Sequence, residues 1–264
     1  MTQIGLLGDI HGNSAWLHYA LDKFNSRGIT TILQLGDFGI LSGEHGNRYA
    51  KFANYLLNNH GQTMYITPGN HEDYDEIERT PVGEDGWQHY RPNILLAPRG
   101  HRWSWDDRTF VSLGGAPSVN RERLLTYPDK SWWEQEAITR ADVDRTVAGG
   151  YADVMVAHDA PHGLQTITKK IKSNPLGFTQ PDLAYAEEGR TLMTEAFMGV
   201  QPKVFLHGHY HFLVNEIYNV PSGPLVRDIK FTTRVLGLAS DRRNFALGVL
   251  DTETLESSAW DARW

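Results

Sequence analysis

The chain has 264 residues, 40% of them hydrophobic and none of them cysteine, so it can bury a full core but forms no disulfide and offers no thiolate ligand or nucleophile. A mean hydropathy of −0.44 and the lack of an apolar run of about 18 residues exclude a membrane-spanning helix. The net charge of −7, from 32 acidic and 25 basic residues, argues against a surface built to hold long nucleic acid, although local asymmetry leaves that open.

The first third of the chain alternates strands and helices. Apolar, β-rich runs predict strands at Gln3–Leu7, Thr31–Leu35 and Met64–Thr67. Helical spacing of apolar residues predicts helices near Ser14–Asn25, Asn47–Asn58 and Tyr74–Arg79. This order is a βαβαβ pattern, which predicts a parallel sheet with right-handed crossovers.

The remainder is predicted to add a second sheet. Its predicted strands are Ile94–Leu96, Arg102–Trp105, Thr109–Leu113, Asp153–Ala157, Lys203–Leu206, Phe212–Tyr218, Leu225–Leu236 and Phe245–Leu250. Helices are expected near Glu134–Ala148 and Glu187–Met198, and residues 161–190 are expected to form a loop or lid over the site. Repeats and linkers are lacking and no signal peptide is visible, so we expect a single domain over residues 1–264, in the cytoplasm.

Five clusters of metal-capable residues follow one another along the chain, each behind an apolar, β-rich stretch. They are Asp9-Ile10-His11, Gly36-Asp37, Gly69-Asn70-His71-Glu72, His158-Asp159 and His207-Gly208-His209-Tyr210-His211. Because α/β folds bind ligands at the carboxyl ends of their strands, we expect these side chains to converge on one point. Their Asp, Asn and His donors suit divalent metals of intermediate hardness.

The order of these motifs, from residue 9 to residue 211, resembles the calcineurin-like metallophosphoesterases. The resemblance implies an α/β fold, a four-layer α/β/β/α sandwich of two mixed β-sheets flanked by helices, with two divalent metal ions at the strand ends. It implies a first metal bound by Asp9, His11 and His211, a second bound by Asn70, His158 and His209, and Asp37 as the bridge between them. His71 matches the catalytic histidine of the family, which is not a ligand.

The implied activity is hydrolysis of phosphomonoesters or phosphodiesters, with nucleotides and cyclic nucleotides among the candidates. Asp37 would bridge the two metals, and a hydroxide that both metals share would attack phosphorus in line. His71 would stabilise the equatorial oxygens or donate a proton to the leaving oxygen. Manganese is the expected metal, with iron, zinc and nickel as alternatives. The expected partner is a small phosphoester, with no membrane, and the sequence gives no oligomeric state.

The chain departs from some relatives after the Gly36-Asp37 motif. Serine/threonine phosphoprotein phosphatases and diadenosine tetraphosphatases carry a second Asp and an Arg-Gly there, whereas this chain reads Phe38-Gly39-Ile40. It therefore lacks their phosphate-binding Arg and the Asp that orients the catalytic histidine. Glu72 and Asp73 are the candidates for that second role.

A softer resemblance covers residues 91–145. The turn Gly114-Gly115-Ala116-Pro117-Ser118, followed by Ser131-Trp132-Trp133 and Glu136, is similar to a subgroup of bacterial and bacteriophage metallophosphoesterases, which would place a phage-encoded protein in the host cytoplasm. Arg121 and Arg123 follow this turn. Together with Asn70 and His71 they are candidate substrate contacts, since arginine can clamp phosphate through two parallel hydrogen bonds.

Two alternatives stay open. A metal-dependent nuclease acting on DNA or RNA would need a basic groove, for which the small candidates are Lys169–Lys172 and Arg121–Arg123. A non-catalytic interaction scaffold on the same fold would keep the architecture without turnover.

Overall fold

The computed structural model describes residues 2–127, 131–219 and 231–262. In these ranges the strands are β1 (Gln3–Leu7), β2 (Thr31–Gln34), β3 (Thr63–Ile66), β4 (Gln88–Arg91), β5 (Ile94–Leu96), β6 (Arg102–Trp105), β7 (Arg108–Leu113), β8 (Val154–Ala157), β9 (Val204–His207), β10 (Val214–Asn219), β11 (Thr232–Gly237), β12 (Leu247–Asp251) and β13 (Ser257–Trp260). The α-helices are α1 (Ser14–Asn25), α2 (Gly43–His60), α3 (Tyr74–Arg79), α4 (Arg121–Leu124), α5 (Arg140–Ala148), α6 (Gln165–Ser173) and α7 (Gln180–Val200). Within the same ranges, none of the helices combines the length and the apolar character that crossing a bilayer requires.

The strands form two mixed sheets. The first has the order β13-β12-β1-β2-β3-β5-β4, in which β1, β2, β3 and β5 run parallel and the outer strands pair antiparallel. The second has the order β10-β11-β9-β8-β7-β6, with β11, β9, β8 and β7 parallel and an antiparallel strand at each edge. The parallel centre of the first sheet confirms the βαβαβ prediction.

Alternation along the central strands builds the layers, because successive side chains of a strand point to opposite faces. Ile4 of β1 and Val154 of β8 belong to one apolar cluster between the two sheets. Leu7 packs instead with residues of α1 and α2, and Met155 packs with residues of α5, α6 and α7. The fold is therefore the four-layer α/β/β/α sandwich that the resemblance implied.

The predicted helix Glu134–Ala148 is wrong in its first half. Residues Glu134–Glu136 form a short 3-10 helix, and the α-helix begins only after Thr139. Arg99 explains the break, since its guanidinium donates hydrogen bonds to the carbonyl oxygens of residues 135–137, which a continuous helix would need. The hydroxyl of Thr139 then accepts from the backbone N–H of Asp142 and starts α5 with a capping box.

The prediction of a loop or lid over residues 161–190 is wrong as to the loop, because most of this segment lies in α6 and α7. Part of the segment lines the pocket beside the donors, and its action as a lid stays a prediction. The helix predicted from Glu187 begins at Gln180, where the side chain of Thr179 caps it and a proline occupies the first turn. Strands β4 and β13 were not predicted, and α2 begins at Gly43 rather than Asn47. The first part of the predicted strand Leu225–Leu236 lies outside the described residues, and the rest forms β11 from Thr232.

Candidate metal centre

The side chains singled out in the sequence lie just beyond the carboxyl ends of five parallel strands. Asp9 and His11 follow β1, Asp37 follows β2, Asn70 and His71 follow β3, His158 follows β8, and His209 and His211 follow β9. The first five residues come from one sheet and the last three from the other. The site is therefore assembled across the junction between the two sheets.

One set of donors consists of Asp9, His11, Asp37 and His211. One ligand atom from each of these residues lies within 4.8 Å of all the others. Nε2 of His211 is 3.1 Å from Oδ2 of Asp9, and Nε2 of His11 is 3.4 Å from Oδ2 of Asp37. The backbone N–H of His209 donates to the buried carboxylate of Asp9 and fixes its orientation.

A second set of donors surrounds the amide oxygen of Asn70. Oδ1 of Asn70 lies 3.0 Å from Nε2 of His158 and 2.9 Å from Nδ1 of His209. The same Nε2 of His158 is 3.3 Å from Oδ1 of Asp37. Nδ1 of His158 lies 2.7 Å from the carbonyl oxygen of Leu35, and a hydrogen bond donated there leaves Nε2 to face the site.

The chemistry of these donors fits a pair of divalent cations that share Asp37. The carboxylate of Asp37 is 1% exposed, and in the described part of the chain its Oδ2 accepts no well-formed hydrogen bond, although Nε2 of His11 lies 3.4 Å away. A buried carboxylate oxygen without a donor is rare unless a cation or water serves it. Oxygen and imidazole nitrogen donors without thiolates suit manganese, iron, zinc or nickel.

Two glycines next to candidate ligands leave the space that other ligands occupy. A Cβ atom at Gly36 would lie 2.1 Å from Nδ1 of His158, and one at Gly69 would lie 2.2 Å from Oδ1 of Asp37. Real Cβ atoms do not approach other heavy atoms this closely. The Gly-Asp and Gly-Asn motifs therefore have a steric basis in the packing of the donors.

Four candidate ligands adopt the left-handed backbone conformation that non-glycine residues rarely use. The φ angles are 50° at His11, 55° at Asp37, 69° at His209 and 60° at His211. Each such conformation costs roughly 1–3 kcal/mol and persists where the surrounding structure imposes it, typically at functional sites. The strain is thus concentrated in the loops that carry the donors.

Charge is strongly polarised in the cluster. Burial opposes ionisation of Asp37, but the neighbouring His158 and His71 outweigh it and hold the pKa of that carboxyl well below its ordinary value. Burial lowers the pKa of His158 and His11, but Asp37 outweighs it and raises the pKa to about 10 and about 9, respectively. Imidazole binds a metal only through an unprotonated nitrogen, so protons on these two rings compete with cations.

Glu72 supports the loop that carries Asp37. Its buried carboxylate accepts hydrogen bonds from the backbone N–H groups of Phe38, Gly39 and Ile40. Asp73 is engaged elsewhere, since its side chain caps α3. Neither contact orients His71, whose backbone N–H instead donates to Oδ1 of Asp37 over 2.8 Å.

Three contributors to the site were not predicted. Nδ2 of Asn70 donates to the hydroxyl of Ser118 over 2.9 Å, and that hydroxyl donates to Glu136 over 2.7 Å. Ser118 and Glu136 are the last residues of the two motifs that resemble bacterial and bacteriophage metallophosphoesterases. This resemblance was the one sequence signal that pointed to them. Asp241, which lies 3.8 Å from Nδ1 of His11 and accepts a hydrogen bond from Asn13, follows no recognisable motif.

A pocket of about 290 Å³ adjoins the donors and is lined in part by Asn70 and His71. Arg121 and Arg123, both within the described residues, do not line it. The guanidinium of Arg121 instead lies 4.1 Å from the ring centroid of Tyr185. A role for either arginine in substrate binding stays a prediction.

The model of the calcineurin-like phosphoesterase family matches residues 2–213. The chain belongs to this family. No curated protein sequence matches this calcineurin-like phosphoesterase. Among solved structures it is similar to a dimetal phosphatase from Danio rerio, with 11% identity, a TM-score of 0.59 and coverage of 99% of this chain and 97% of that chain. It is also similar to a protein of Thermus thermophilus, TT1561, with 10% identity, a TM-score of 0.54 and coverage of 99% of both chains. At these identities the likeness shows the shared fold.

Proposed function

We propose that this calcineurin-like phosphoesterase is a binuclear metal-dependent hydrolase of small phosphomonoesters or phosphodiesters. The observation that carries the proposal is the position of Asp37 between the two donor sets. Its Oδ1 lies 3.3 Å from Nε2 of His158, and its Oδ2 lies 3.4 Å from Nε2 of His11. When bound, two cations supply positive charge for the phosphoryl oxygens and lower the pKa of a water molecule towards neutrality.

His71 is the residue proposed to handle the proton of the reaction. Its ring centroid lies 5.7 Å from that of His11, and its side chain lines the pocket beside the donors. The backbone bond from its N–H to Asp37 fixes its place relative to the metal ligands. Burial lowers the pKa of His71, so the imidazole is proposed to take up a proton from water and pass it to the leaving oxygen of the ester.

The size of the pocket supports a small substrate. A volume of about 290 Å³ is close to that of sites for small molecules. Among the basic candidates for a nuclease groove, Lys169, Lys170 and Lys172 are exposed on α6 and Lys170 lines the pocket, whereas Arg121 and Arg123 do not line it. The net charge of the chain is −7. Mononucleotides stay within the proposed range of substrates.

The test is hydrolysis of p-nitrophenyl phosphate and of its bis ester after the protein is loaded with manganese. The proposal expects turnover of at least one ester together with about two metal ions per chain. Failure to hydrolyse either ester, with no divalent ion found by elemental analysis, would refute it. Incubation with labelled single- and double-stranded DNA separates the nuclease alternative, since intact strands would eliminate that activity.

A further inference from the structure

The pocket beside the donors has a second, apolar side. One part of its lining is the candidate metal centre, and most of the other part comes from α6, α7 and the turn between them. The apolar side chains there include Ile171, Leu176, Phe178 and Leu183, with Phe212 from the loop after β9. Charged side chains of both signs also line the pocket, Lys170 and the buried Arg190 together with Asp159 and Glu187.

The turn that carries part of this apolar wall is held by its own hydrogen bonds. Oδ1 of Asn174 accepts from the backbone N–H of Phe178, and Nδ2 of Asn174 donates to the backbone carbonyl of Phe178, both over 3.0 Å. Asn174 also ends α6 in the left-handed conformation. The wall is therefore preorganised, which limits the entropy lost when a ligand enters.

We propose that this pocket holds the organic group of the substrate and that this group is an apolar ring. The inference rests on the proposed function, because it takes the phosphoryl group to lie at Asp37 and His71. An apolar ring would release water from the apolar side chains of these walls, whereas a hydroxyl-rich group would gain less from burial against them. Burial of a phenyl-sized ring corresponds to a gain in affinity of about 10- to 100-fold.

The test compares two non-hydrolysable phosphonates as competitors of p-nitrophenyl phosphate hydrolysis by the manganese-loaded enzyme. Benzylphosphonate is expected to bind about 10- to 100-fold more tightly than methylphosphonate. Phe178→Ala and Ile171→Ala should each shrink that ratio several-fold and leave the affinity for methylphosphonate unchanged. The matched control is Tyr55→Ala, which removes an exposed aromatic side chain from α2 and should leave the ratio as in the wild type.

Equal affinities of the two phosphonates, in an enzyme that hydrolyses the nitrophenyl ester, would overturn the inference that the pocket holds an apolar ring. The proposed hydrolase function would still stand. A ratio that both pocket variants leave intact would overturn that inference as well. Failure of the proposed function looks different, because the wild type would then hydrolyse no ester at all.

A separate observation concerns how Asn70 is oriented. A side-chain amide has an oxygen and an NH₂ group of nearly equal size, and only the oxygen can ligate a cation. Here Oδ1 faces His158 and His209, while Nδ2 donates to the hydroxyl of Ser118. The amide is therefore held with its oxygen towards the second donor set.

The hydroxyl of Ser118 can accept from Asn70 because its own hydrogen is taken by Glu136. It donates to Oε2 of Glu136 over 2.7 Å, and the backbone N–H of Ser118 donates to Oε1 over 2.6 Å. Nε1 of Trp132 and the hydroxyl of Tyr185 also donate to this carboxylate. Asn70, Ser118 and Glu136 are at most 3% exposed, so water does not compete with these bonds.

We infer that Ser118 and Glu136 are positioning residues that select the metal-binding orientation of the Asn70 amide. A rotated amide would place NH₂ against Nε2 of His158 and remove an oxygen donor from the second set. Loss of such a supporting partner typically lowers metal affinity about 10- to 100-fold. A carboxylate at position 70 would escape this requirement, since both of its terminal atoms are oxygens.

The symmetry of a carboxylate at position 70 allows a test by a double-mutant cycle. The quantity measured is manganese binding to the 264-residue protein, determined by equilibrium dialysis. In the wild-type background Ser118→Ala is expected to weaken the second manganese site about 10- to 100-fold. In the Asn70→Asp background, Ser118→Ala should change the affinity of the second manganese site less than about 3-fold. This change is much smaller than the loss expected when residue 70 is asparagine. Glu136→Gln provides a second variant with the same expected pattern should the serine variant fold poorly.

Equal losses in the two backgrounds would overturn the inference, because a merely structural role of Ser118 would not depend on the symmetry of residue 70. Unchanged manganese affinity of the single variants would overturn it too.

Discussion

A Cβ atom on Gly36 would stand 2.1 Å from Nδ1 of His158, a nitrogen that lies 2.7 Å from the carbonyl oxygen of Leu35. Gly36, which precedes the candidate ligand Asp37, thus leaves the space that the ring of His158 occupies. The φ angle of Gly36 is 99°, so a side chain there would also be strained by the backbone itself.

Replacement of Gly36 by alanine should therefore damage both folding and metal binding. Gly61→Ala is the matched control, since Gly61 also has a positive φ but a Cβ there meets nothing within 4 Å. The control should lose about 1–2 kcal/mol of unfolding free energy from backbone strain and keep its metal content. Gly36→Ala should lose roughly 1–3 kcal/mol more, with reduced metal content, in urea unfolding and elemental analysis.

Asp37→Asn should reduce occupancy of both metal sites together, because one carboxylate reaches both donor sets. His211→Ala should first weaken only one of them, since its Nε2 lies beside Asp9 in the first set. Metal content per chain, measured during stepwise dilution of free manganese, distinguishes the two patterns. Parallel loss of both ions in the His211 variant would contradict the assignment of donors to sets.

His71→Ala should lower kcat by about 10²- to 10⁴-fold, the range expected for loss of a proton-transfer group. Metal content should stay unchanged, because the His71 ring is outside the two donor sets. His18→Ala, which removes an exposed histidine from α1, should alter neither quantity. A His71 variant with wild-type kcat would show that another group transfers the proton.

Glu72→Gln should destabilise the loop that follows Asp37. The carboxylate accepts three backbone hydrogen bonds, and an amide would turn a donor towards at least one of those N–H groups. We expect a loss of roughly 1–3 kcal/mol in urea unfolding. Glu44→Gln, at a glutamate whose side chain is 83% exposed on α2, should stay within about 0.5 kcal/mol of the wild type.

Stability should also depend on pH through Glu136. Burial raises the pKa of this carboxyl from 4.5 to about 7, although its hydrogen bonds oppose the change. A pKa that is raised in the folded state adds stability that is fully present below pH 4.5 and is lost as pH rises through about 7.

Glu136→Gln removes this titration, so the stability of the wild type relative to the variant should fall between pH 4.5 and pH 7. The full change corresponds to roughly 3 kcal/mol, because a pKa difference of one between the folded and unfolded states is equivalent to about 1.4 kcal/mol. Urea unfolding of both proteins at several pH values measures it. A difference that stays constant across this range would show that the pKa of Glu136 is not raised.

The motif residues could be located from sequence because each follows an apolar strand, and the carboxyl ends of parallel strands share one edge. The sequence pattern did not identify Ser118 and Glu136 as part of the site, because their role depends on hydrogen bonds between segments that are distant in sequence. The helix predicted from Glu134 failed for a similar reason, because the distant Arg99 takes the carbonyls that the helix would use. Local pattern therefore predicted the two sheets and the loops that carry the candidate donors, and the family resemblance implied the four layers, whereas long-range polar contacts required coordinates.

The division of the donors between two sheets has a consequence for biogenesis. Asp9, Asp37 and Asn70 are translated early and His209 and His211 late, and neither half of the chain holds a complete coordination sphere. If ions bind as proposed, neither coordination sphere is complete before the sheets have docked, so metal loading is expected late in folding. Ions bound there would add to the apolar contacts that already join the two sheets, so chelation is expected to lower the stability of the junction without separating the sheets.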